Sequence, residues 1–306
     1  MGLDQNGTQC VLYAKKAGVD FTRTVQIGRQ DLNLSVPELV GNLRRFGFDA
    51  DKKGAIKLFT ANDGFADPFF HFLGAESVES IDFSDYEGAT FVHDMNKPIP
   101  AQFKDRYSLV VDSGTLEHVF NFPVAVKNCM QMVEPGGYYI GITPANNFMG
   151  HGFYQFSPEL FYAMFSAAQG FELVRLIAYE DRPHAPWYRV NSPDSVRARI
   201  TLRNTRPAYL FALARKLASV EPFQEEPQQC DYISAWNRQP ESREARSARI
   251  RKFVSTSAMQ RARQRVRALF GSGNLIERFD VMGFRSQLFE KIDQTSDCES
   301  LLRTPS

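Results

Sequence analysis

Tyr107-Ser108-Leu109-Val110-Val111-Asp112 is a short, mainly apolar run that ends on an acid, and it predicts a buried β-strand. Two earlier runs, Ser77–Asp82 and Thr90–Asp94, have the same form. A further run, Thr24–Ile27, ends at Gly28. Strands of this kind, separated by segments long enough for helices, are typical of a parallel sheet with helices on its faces.

The segments around these runs continue the alternation of strands and helices. Ser35-Val36-Pro37-Glu38 predicts a helix start, because Ser is a favoured N-cap and Pro fits the first helical turn. Downstream, helices are predicted at Phe122–Val133 and Pro158–Ala168, and strands at Tyr138–Thr143, Phe171–Tyr179 and Pro207–Ala214. We therefore expect a Rossmann-like, doubly wound α/β fold with a mainly parallel, seven-stranded sheet and an antiparallel last strand.

Charge divides the chain of 306 residues into two parts. The net charge is +1, but Lys and Arg outnumber acids by ten to two between Arg238 and Arg267. We predict a first domain over 1–218, with insertions at about 48–74 and 180–206, and a basic helical C-terminal extension over 219–306. Its apolar residues have helical spacing as far as Gly271. This helix could pack on the body, form a homo-oligomer, or bind an acidic partner, nucleic acid or an anionic membrane surface.

Composition and missing motifs exclude several classes of protein. The hydrophobic content of 43% and charged content of 23% are those of a globular protein. No apolar run approaches the roughly 18 residues of a membrane span, and the first residues, Met1–Asn6, lack a signal-peptide pattern. The four cysteines show no metal-ligand spacing, so no metal is expected. We expect a cytoplasmic protein without integral membrane association, and no motif indicates nucleic acid as a partner.

The acids at the strand ends indicate a nucleotide site. In a doubly wound sheet, ligands bind beyond the carboxyl ends of the strands at the point where the strand order reverses. A carboxylate such as Asp82 can accept two hydrogen bonds from a ribose diol, and Asp94 can accept one from an adenine amino group.

Taken in order, these segments resemble the class I S-adenosylmethionine-dependent methyltransferases. The resemblance covers roughly residues 23–215 and is strongest over 80–144. It rests on Ile27-Gly28, Ser80-Ile81-Asp82-Phe83-Ser84, His93-Asp94-Met95-Asn96, Gly114-Thr115-Leu116-Glu117-His118 and Val133-Glu134-Pro135-Gly136-Gly137.

The resemblance implies S-adenosylmethionine as the cofactor. The positions that match the cofactor-binding motifs are Gly28, Arg29, Asp82, Phe83, Asp94, Met95, Asp112 and Gly114. The family's E-x-G-x-G-x-G loop stands here as Gln26-Ile27-Gly28-Arg29-Gln30-Asp31-Leu32, so Gln30 and Leu32 replace two glycines and are expected to crowd the loop. Arg29 could pair with the cofactor carboxylate instead.

The resemblance also implies methyl transfer to an oxygen or nitrogen of a small-molecule or glycan-type acceptor. His118 and His151 are the candidate bases, because histidine titrates near neutral pH without tuning. The candidate substrate-binding residues are Glu117, Asn146, Asn147 and Tyr154. The alternative is a catalytically inactive protein of the same fold that acts as a scaffold through its basic C-terminal helix.

Overall fold

The computed structural model describes residues 2–196, 199–229, 283–284 and 286–302. The strands are β1 (Gly2–Leu3), β2 (Arg23–Ile27), β3 (Asp31–Leu32), β4 (Ser77–Asp82), β5 (Phe91–Val92), β6 (Tyr107–Ser113), β7 (Val133–Asn146), β8 (Phe171–Glu180), β9 (Trp187–Val190), β10 (Ala208–Lys216) and β11 (Phe289–Ile292). The helices are α1 (Gln5–Lys16), α2 (Val36–Arg45), α3 (Lys52–Thr60), α4 (Asp67–Phe72), α5 (Phe122–Met132), α6 (Pro158–Met164), α7 (Pro193–Val196) and α8 (Gln294–Leu302). Three short 3₁₀ turns lie at Ala101–Phe103, Leu116–His118 and Ala167–Gln169.

The described residues form one large mixed sheet of nine strands, in the order β11-β9-β8-β10-β7-β6-β2-β4-β5. Strands β5, β4, β2, β6 and β7 are parallel, and β10 is antiparallel to both β7 and β8. The strand order therefore reverses between β2 and β6, and the carboxyl ends of these two strands mark the expected ligand edge. The predicted Rossmann-like sheet is confirmed, with the predicted last strand, β10, antiparallel to its neighbours. The sheet is larger than the seven mainly parallel strands predicted, because β9 and β11 extend it to nine strands in the described residues, and four of its eight pairings are antiparallel.

Alternating side chains of the central strands supply both faces of this sheet. In β6, Val110 packs in the cluster that contains α5, whereas Leu109 and Val111 pack in the cluster that contains α1. All three are completely buried. A central parallel strand covered on both faces reads as a continuous apolar run, which is the pattern seen in the sequence.

The N-terminal helix α1 is a part of the core that the sequence analysis did not predict. Ten consecutive residues, from Gln5 to Ala14, are buried. The ring of Tyr13 contacts Trp187 of β9 and Phe211 of β10, at centroid distances of 5.7 Å in both cases. Because α1 is enclosed on all sides, it lacks the clear polar face by which a surface helix is recognised in sequence.

The predicted boundary at residue 218 does not hold for the end of the chain. Strand β11 pairs with β9, which lies in the predicted 180–206 insertion, and so adds the sheet's ninth strand. Helix α8 packs on α1, where Asp297 Oδ2 accepts hydrogen bonds from the Tyr13 hydroxyl at 2.5 Å and from Arg175 Nε at 3.0 Å. Residues 286–302 therefore belong to the main body. The basic helix predicted between 249 and 271 lies outside the described residues.

Candidate functional site

The turn after β2 brings Gly28 against the end of β4. The Gly28 N–H donates to the Ile81 carbonyl at 2.8 Å, next to Asp82. Gly28 has φ of +69°, a conformation that glycine adopts without the strain other residues incur. The glycine turn and the strand-end acid are thus neighbours at the carboxyl edge of the sheet.

The side chain of Gln30 stabilises this turn by hydrogen bonds to its carbonyls. Its side-chain Nε2 donates to the carbonyls of Ile27 at 3.0 Å and Gly28 at 3.1 Å, and its N–H donates to Gln26 Oε1 at 3.2 Å. Gln30 is completely buried and Leu32 is 7% exposed. Both side chains are enclosed by the protein, and their expected crowding of the cofactor loop stays a prediction.

The guanidinium of Arg29 is held on the other side of the turn. Nη1 donates to the Glu87 carbonyl at 2.6 Å, Nε lies 3.5 Å from Asp67 Oδ2, and the group stacks 3.9 Å from the Phe65 ring centroid. These contacts tie the turn to α4 and to the loop after β4. The pairing of Arg29 with a cofactor carboxylate stays a prediction.

Asp82 and Phe83 present polar and apolar groups side by side. Asp82 Oδ1 accepts the Phe83 N–H at 2.6 Å, and the Asp82 residue is partly exposed. The Phe83 side chain is 72% exposed. A carboxylate next to an exposed aromatic ring can bind a ribose diol and the face of a purine ring together.

The side chain of Asp94 accepts hydrogen bonds from Asn96, within the turn that follows β5. Its Oδ1 accepts hydrogen bonds from the Asn96 N–H at 3.0 Å and from Asn96 Nδ2 at 2.8 Å, and Oδ2 lies 3.5 Å from Lys97 Nζ. These contacts, first of all the Asn96 side-chain hydrogen bond, hold the pKa of Asp94 below its usual value. Met95 is buried beneath Asn128. The adenine-side roles of Asp94 and Met95 stay predictions, since both residues have a structural function here.

Asp112 shapes the turn that follows β6. Its Oδ1 accepts the N–H groups of Thr115 at 3.1 Å and Leu116 at 3.3 Å, and Gly114 has φ of +87°. Burial, and then the charge of Glu117, raise the pKa of Asp112 well above its usual range. Asp112 is completely buried, so the structure places it under the site rather than at its surface.

Glu117 is the most unusual group at this edge. It is completely buried, and neither carboxylate oxygen has a hydrogen-bond partner among the described residues. Burial raises the pKa of Glu117 to about 7. A buried carboxylate without hydrogen bonds is costly, and such groups concentrate at functional sites.

Two exposed imidazoles adjoin this carboxylate. His151 Nε2 lies 3.5 Å from Glu117 Oε1, and the rings of His118 and His151 meet edge to face at a centroid distance of 5.1 Å. Partial burial, and then the neighbouring His151, lower the pKa of His118. The structure thus brings together three residues that the sequence analysis singled out from two separate segments.

A tight glycine turn holds the two segments together. The Phe153 N–H donates to the Glu117 carbonyl at 2.8 Å, and Gly152 has φ of +68°. A Cβ on Gly152 would lie 2.9 Å from the Glu117 carbonyl oxygen. Gly152 is not among the predicted site residues, although the glycines on both sides of His151 are a local sign of an unusual backbone.

The remaining predicted substrate residues hold loops in place. Asn146 Nδ2 donates to Asn204 Oδ1 at 2.8 Å, and Asn147 Nδ2 donates to the Asn204 carbonyl at 3.0 Å. The Tyr154 hydroxyl donates to the Phe120 carbonyl at 2.6 Å. Their amide and hydroxyl donors are used within the protein, and acceptor binding by these residues stays a prediction.

An apolar groove lies beside the site, between α5 and α6. Its volume is about 390 Å³. The residues that line it include Phe122, Pro123, Val126, Leu160, Met164 and Phe223. Phe122 also contacts Tyr154 at a centroid distance of 6.0 Å, so the groove adjoins the loop that carries His151.

No family model and no curated protein matches this sequence. Similar solved structures include the methyltransferase CalH with S-adenosylhomocysteine, which is 13% identical with a TM-score of 0.37 over 69% of this chain and 57% of that chain. The 1,6-didemethyltoxoflavin N1-methyltransferase of Burkholderia thailandensis, also solved with S-adenosylhomocysteine, is 13% identical with a TM-score of 0.36 over 70% of this chain and 79% of that one. A methyltransferase from Thermotoga maritima is 12% identical with a TM-score of 0.35 over 69% and 92%.

These neighbours are S-adenosylmethionine-dependent methyltransferases. The present chain spans less than two thirds of the length of CalH. The fold follows from the strand order of this chain's own sheet. Among the described residues, no helix combines the length and apolar character that a membrane span requires.

Proposed function

We propose that this protein transfers a methyl group from S-adenosylmethionine to an oxygen or nitrogen of a small-molecule or glycan-type acceptor. One juxtaposition carries the proposal. Gly28 and Asp82 end the neighbouring strands β2 and β4, while Glu117, His118 and His151 gather beyond the end of β6, on the other side of β2. A nucleotide subsite therefore adjoins a group of proton acceptors at the point where the strand order reverses.

On the cofactor side, Asp82 accepts hydrogen bonds from the ribose hydroxyls. Oδ1 accepts one backbone N–H, which orients the carboxylate. Phe83 supplies an exposed aromatic face for the adenine ring. Gln30, which stands where the family's loop has a glycine, donates hydrogen bonds to the Ile27 and Gly28 carbonyls, and this supports an ordered turn on the cofactor side.

On the acceptor side, the reaction is an in-line displacement. The lone pair of the acceptor oxygen or nitrogen forms a bond to the methyl carbon, and the electrons of the carbon–sulfur bond return to sulfur, which leaves S-adenosylhomocysteine. His118 or His151 accepts the proton that the acceptor loses. Both imidazoles are exposed, so an acceptor can reach them from solvent. The apolar groove beside the site can hold a non-reacting part of the acceptor.

Calorimetric titration with S-adenosylmethionine and S-adenosylhomocysteine tests the cofactor half of the proposal. We expect binding by the wild-type protein and its loss in Asp82→Ala, while the neighbouring exposed acid Asp85→Ala binds normally. Absence of binding to folded wild-type protein would overturn the proposal.

A screen of hydroxyl and amine acceptors then tests transfer. If His118→Ala and His151→Ala each kept turnover within about twofold at saturating acceptor, neither imidazole would take part in the reaction, and positioning alone would account for the rate.

A further inference from the structure

The buried carboxylate of Glu117 lacks the partners that its surroundings demand. Both oxygens are buried, and neither receives a hydrogen bond from the described residues. Removing an ionised carboxylate from water without such partners is strongly unfavourable, so native proteins pair it, keep it protonated or place it against a metal ion. The nearest candidate partner is His151 Nε2, which lies 3.5 Å from Oε1 and too far for a good hydrogen bond.

Three potential ligand atoms converge at this point. One atom each from Glu117, His118 and His151 lies within 4.8 Å of the other two. Two imidazoles and one carboxylate form a donor set that suits divalent ions of the first transition series, and three protein ligands on one side leave further positions open. Zn²⁺, Mn²⁺, Fe²⁺ and Co²⁺ all accept such ligands.

The backbone holds these ligands in place. Glu117 and His118 lie on a 3₁₀ turn whose first N–H groups are bound by Asp112. His151 lies on a loop whose Phe153 N–H donates to the Glu117 carbonyl at 2.8 Å. The ligands therefore come from two segments that are already joined, which reduces the loss of conformational freedom when an ion binds.

We propose that Glu117, His118 and His151 bind one divalent transition-metal ion. The ion provides the charge that the orphaned carboxylate lacks. Both imidazoles are exposed, so the open positions of the ion face solvent. The site can thus receive an oxygen from outside the protein.

A role for the ion in methyl transfer follows if the proposed function is correct, and this step rests on it. A metal ion lowers the pKa of a hydroxyl that it binds. With both imidazoles bound to the ion, neither acts as the base; the hydroxyl proton goes to water, the oxygen forms its bond to the methyl carbon, and the electrons of the carbon–sulfur bond return to sulfur. An acceptor with two neighbouring oxygens would fit the open positions best, because it can bind the ion through both.

Titration of chelator-treated protein without a histidine tag tests the site. The probe is Co²⁺, added in the absence of any cofactor. Its binding is measured by calorimetry and by the visible absorption of the bound ion. We expect one Co²⁺ per chain. Loss of an outer-sphere partner alone weakens metal sites by about 10–100-fold, so Glu117→Gln, His118→Ala and His151→Ala should each weaken binding by at least about 100-fold.

Matched controls separate this site from general binding to the surface. Glu76→Gln and His184→Ala change an exposed acid and an exposed histidine elsewhere, and both should bind Co²⁺ as the wild type does. Without metal, Glu117→Gln should be at least as stable as the wild type, because it removes a buried unpaired charge. Lost binding would then not reflect unfolding. No binding by the wild type, or unchanged binding in all three site variants, would overturn the proposal.

The proposed methyl transfer and the proposed metal site can be tested independently of each other. Binding of S-adenosylhomocysteine to metal-free protein tests the cofactor site, and Co²⁺ binding to cofactor-free protein tests the metal site. Asp82→Ala should retain Co²⁺ binding. If Co²⁺ does not bind, the histidines remain available as bases.

Discussion

His151 Nε2 lies 3.5 Å from Glu117 Oε1, although the two residues belong to different loops. The contact depends on the backbone hydrogen bond from Phe153 N–H to the Glu117 carbonyl, two residues after His151. The geometry of the candidate site is therefore set by the loop after β7 as much as by the turn after β6.

Gly152→Ala should disturb this junction. Its Cβ would meet the Glu117 carbonyl oxygen at 2.9 Å, in addition to the strain of φ +68°. Gly150→Ala is the matched control, because Gly150 has φ of +89° but open space around its Cβ. We expect about 1–2 kcal/mol of destabilisation from backbone strain in both variants, and a further 1–3 kcal/mol, roughly, in Gly152→Ala. Urea denaturation measures both.

Hydrogen exchange of the Phe153 amide measures the local effect of Gly152→Ala and Gly150→Ala. The Phe153 amide should lose protection in Gly152→Ala and keep it in Gly150→Ala. Equal protection in the two variants would show that the close approach at Gly152 is not needed.

Asp82→Asn should weaken binding of S-adenosylhomocysteine while preserving the fold. An amide keeps one acceptor oxygen but loses the charge, and hydrogen bonds to charged groups contribute about 1.5–3 kcal/mol each, which corresponds to roughly 10–100-fold in affinity. Asp85→Asn changes an exposed acid three residues away and should bind normally. Calorimetry measures the affinity of both variants for S-adenosylhomocysteine. Equal affinities would show that Asp82 does not bind the cofactor.

Substitutions of Gln30 test the role of this side chain, which stands where the family's loop has a glycine. The side chain either obstructs the cofactor or supports the turn after β2. Gln30→Gly removes the side chain, whereas Gln30→Met keeps its volume and removes its hydrogen bonds to the Ile27 and Gly28 carbonyls. We expect both variants to weaken S-adenosylhomocysteine binding and to lower stability by about 1–3 kcal/mol, because the Gly28 carbonyl loses its side-chain donor, whereas the Ile27 carbonyl keeps the Thr115 hydroxyl as a donor. Tighter binding by Gln30→Gly would instead mean that the side chain obstructs the cofactor.

Asp297→Asn should destabilise the whole protein. Asp297 is the shared acceptor for Tyr13 and Arg175, and the side chains of Arg175 and Asp297 are 16% and 9% exposed. Breaking a largely buried ion pair leaves one charge unpaired, and we expect a loss of about 2–4 kcal/mol in the free energy of unfolding. The exposed Glu299→Gln on the same helix should change it by less than about 0.5 kcal/mol. A small effect of Asp297→Asn would mean that α8 contributes little to the body.

Local sequence patterns predicted the framework of this protein. The apolar runs that end at Gly28, Asp82 and Asp112 form the central strands, because a strand buried on both faces needs apolar residues and its end needs a turn former. The order of these motifs also predicted a ligand site at the carboxyl ends of these strands. These features depend on a few neighbouring residues, so they can be predicted from the sequence.

Contacts between distant segments were decided by tertiary structure alone. The pairing of β9 with β11, the burial of α1 and the inward position of Gln30 all depend on partners that no local pattern specifies. The sequence named Glu117, His118 and His151 as separate candidates. Only the folded chain brings a buried carboxylate, which has no hydrogen-bond partner among the described residues, to two imidazoles, because that proximity results from a loop closing over the end of a neighbouring strand.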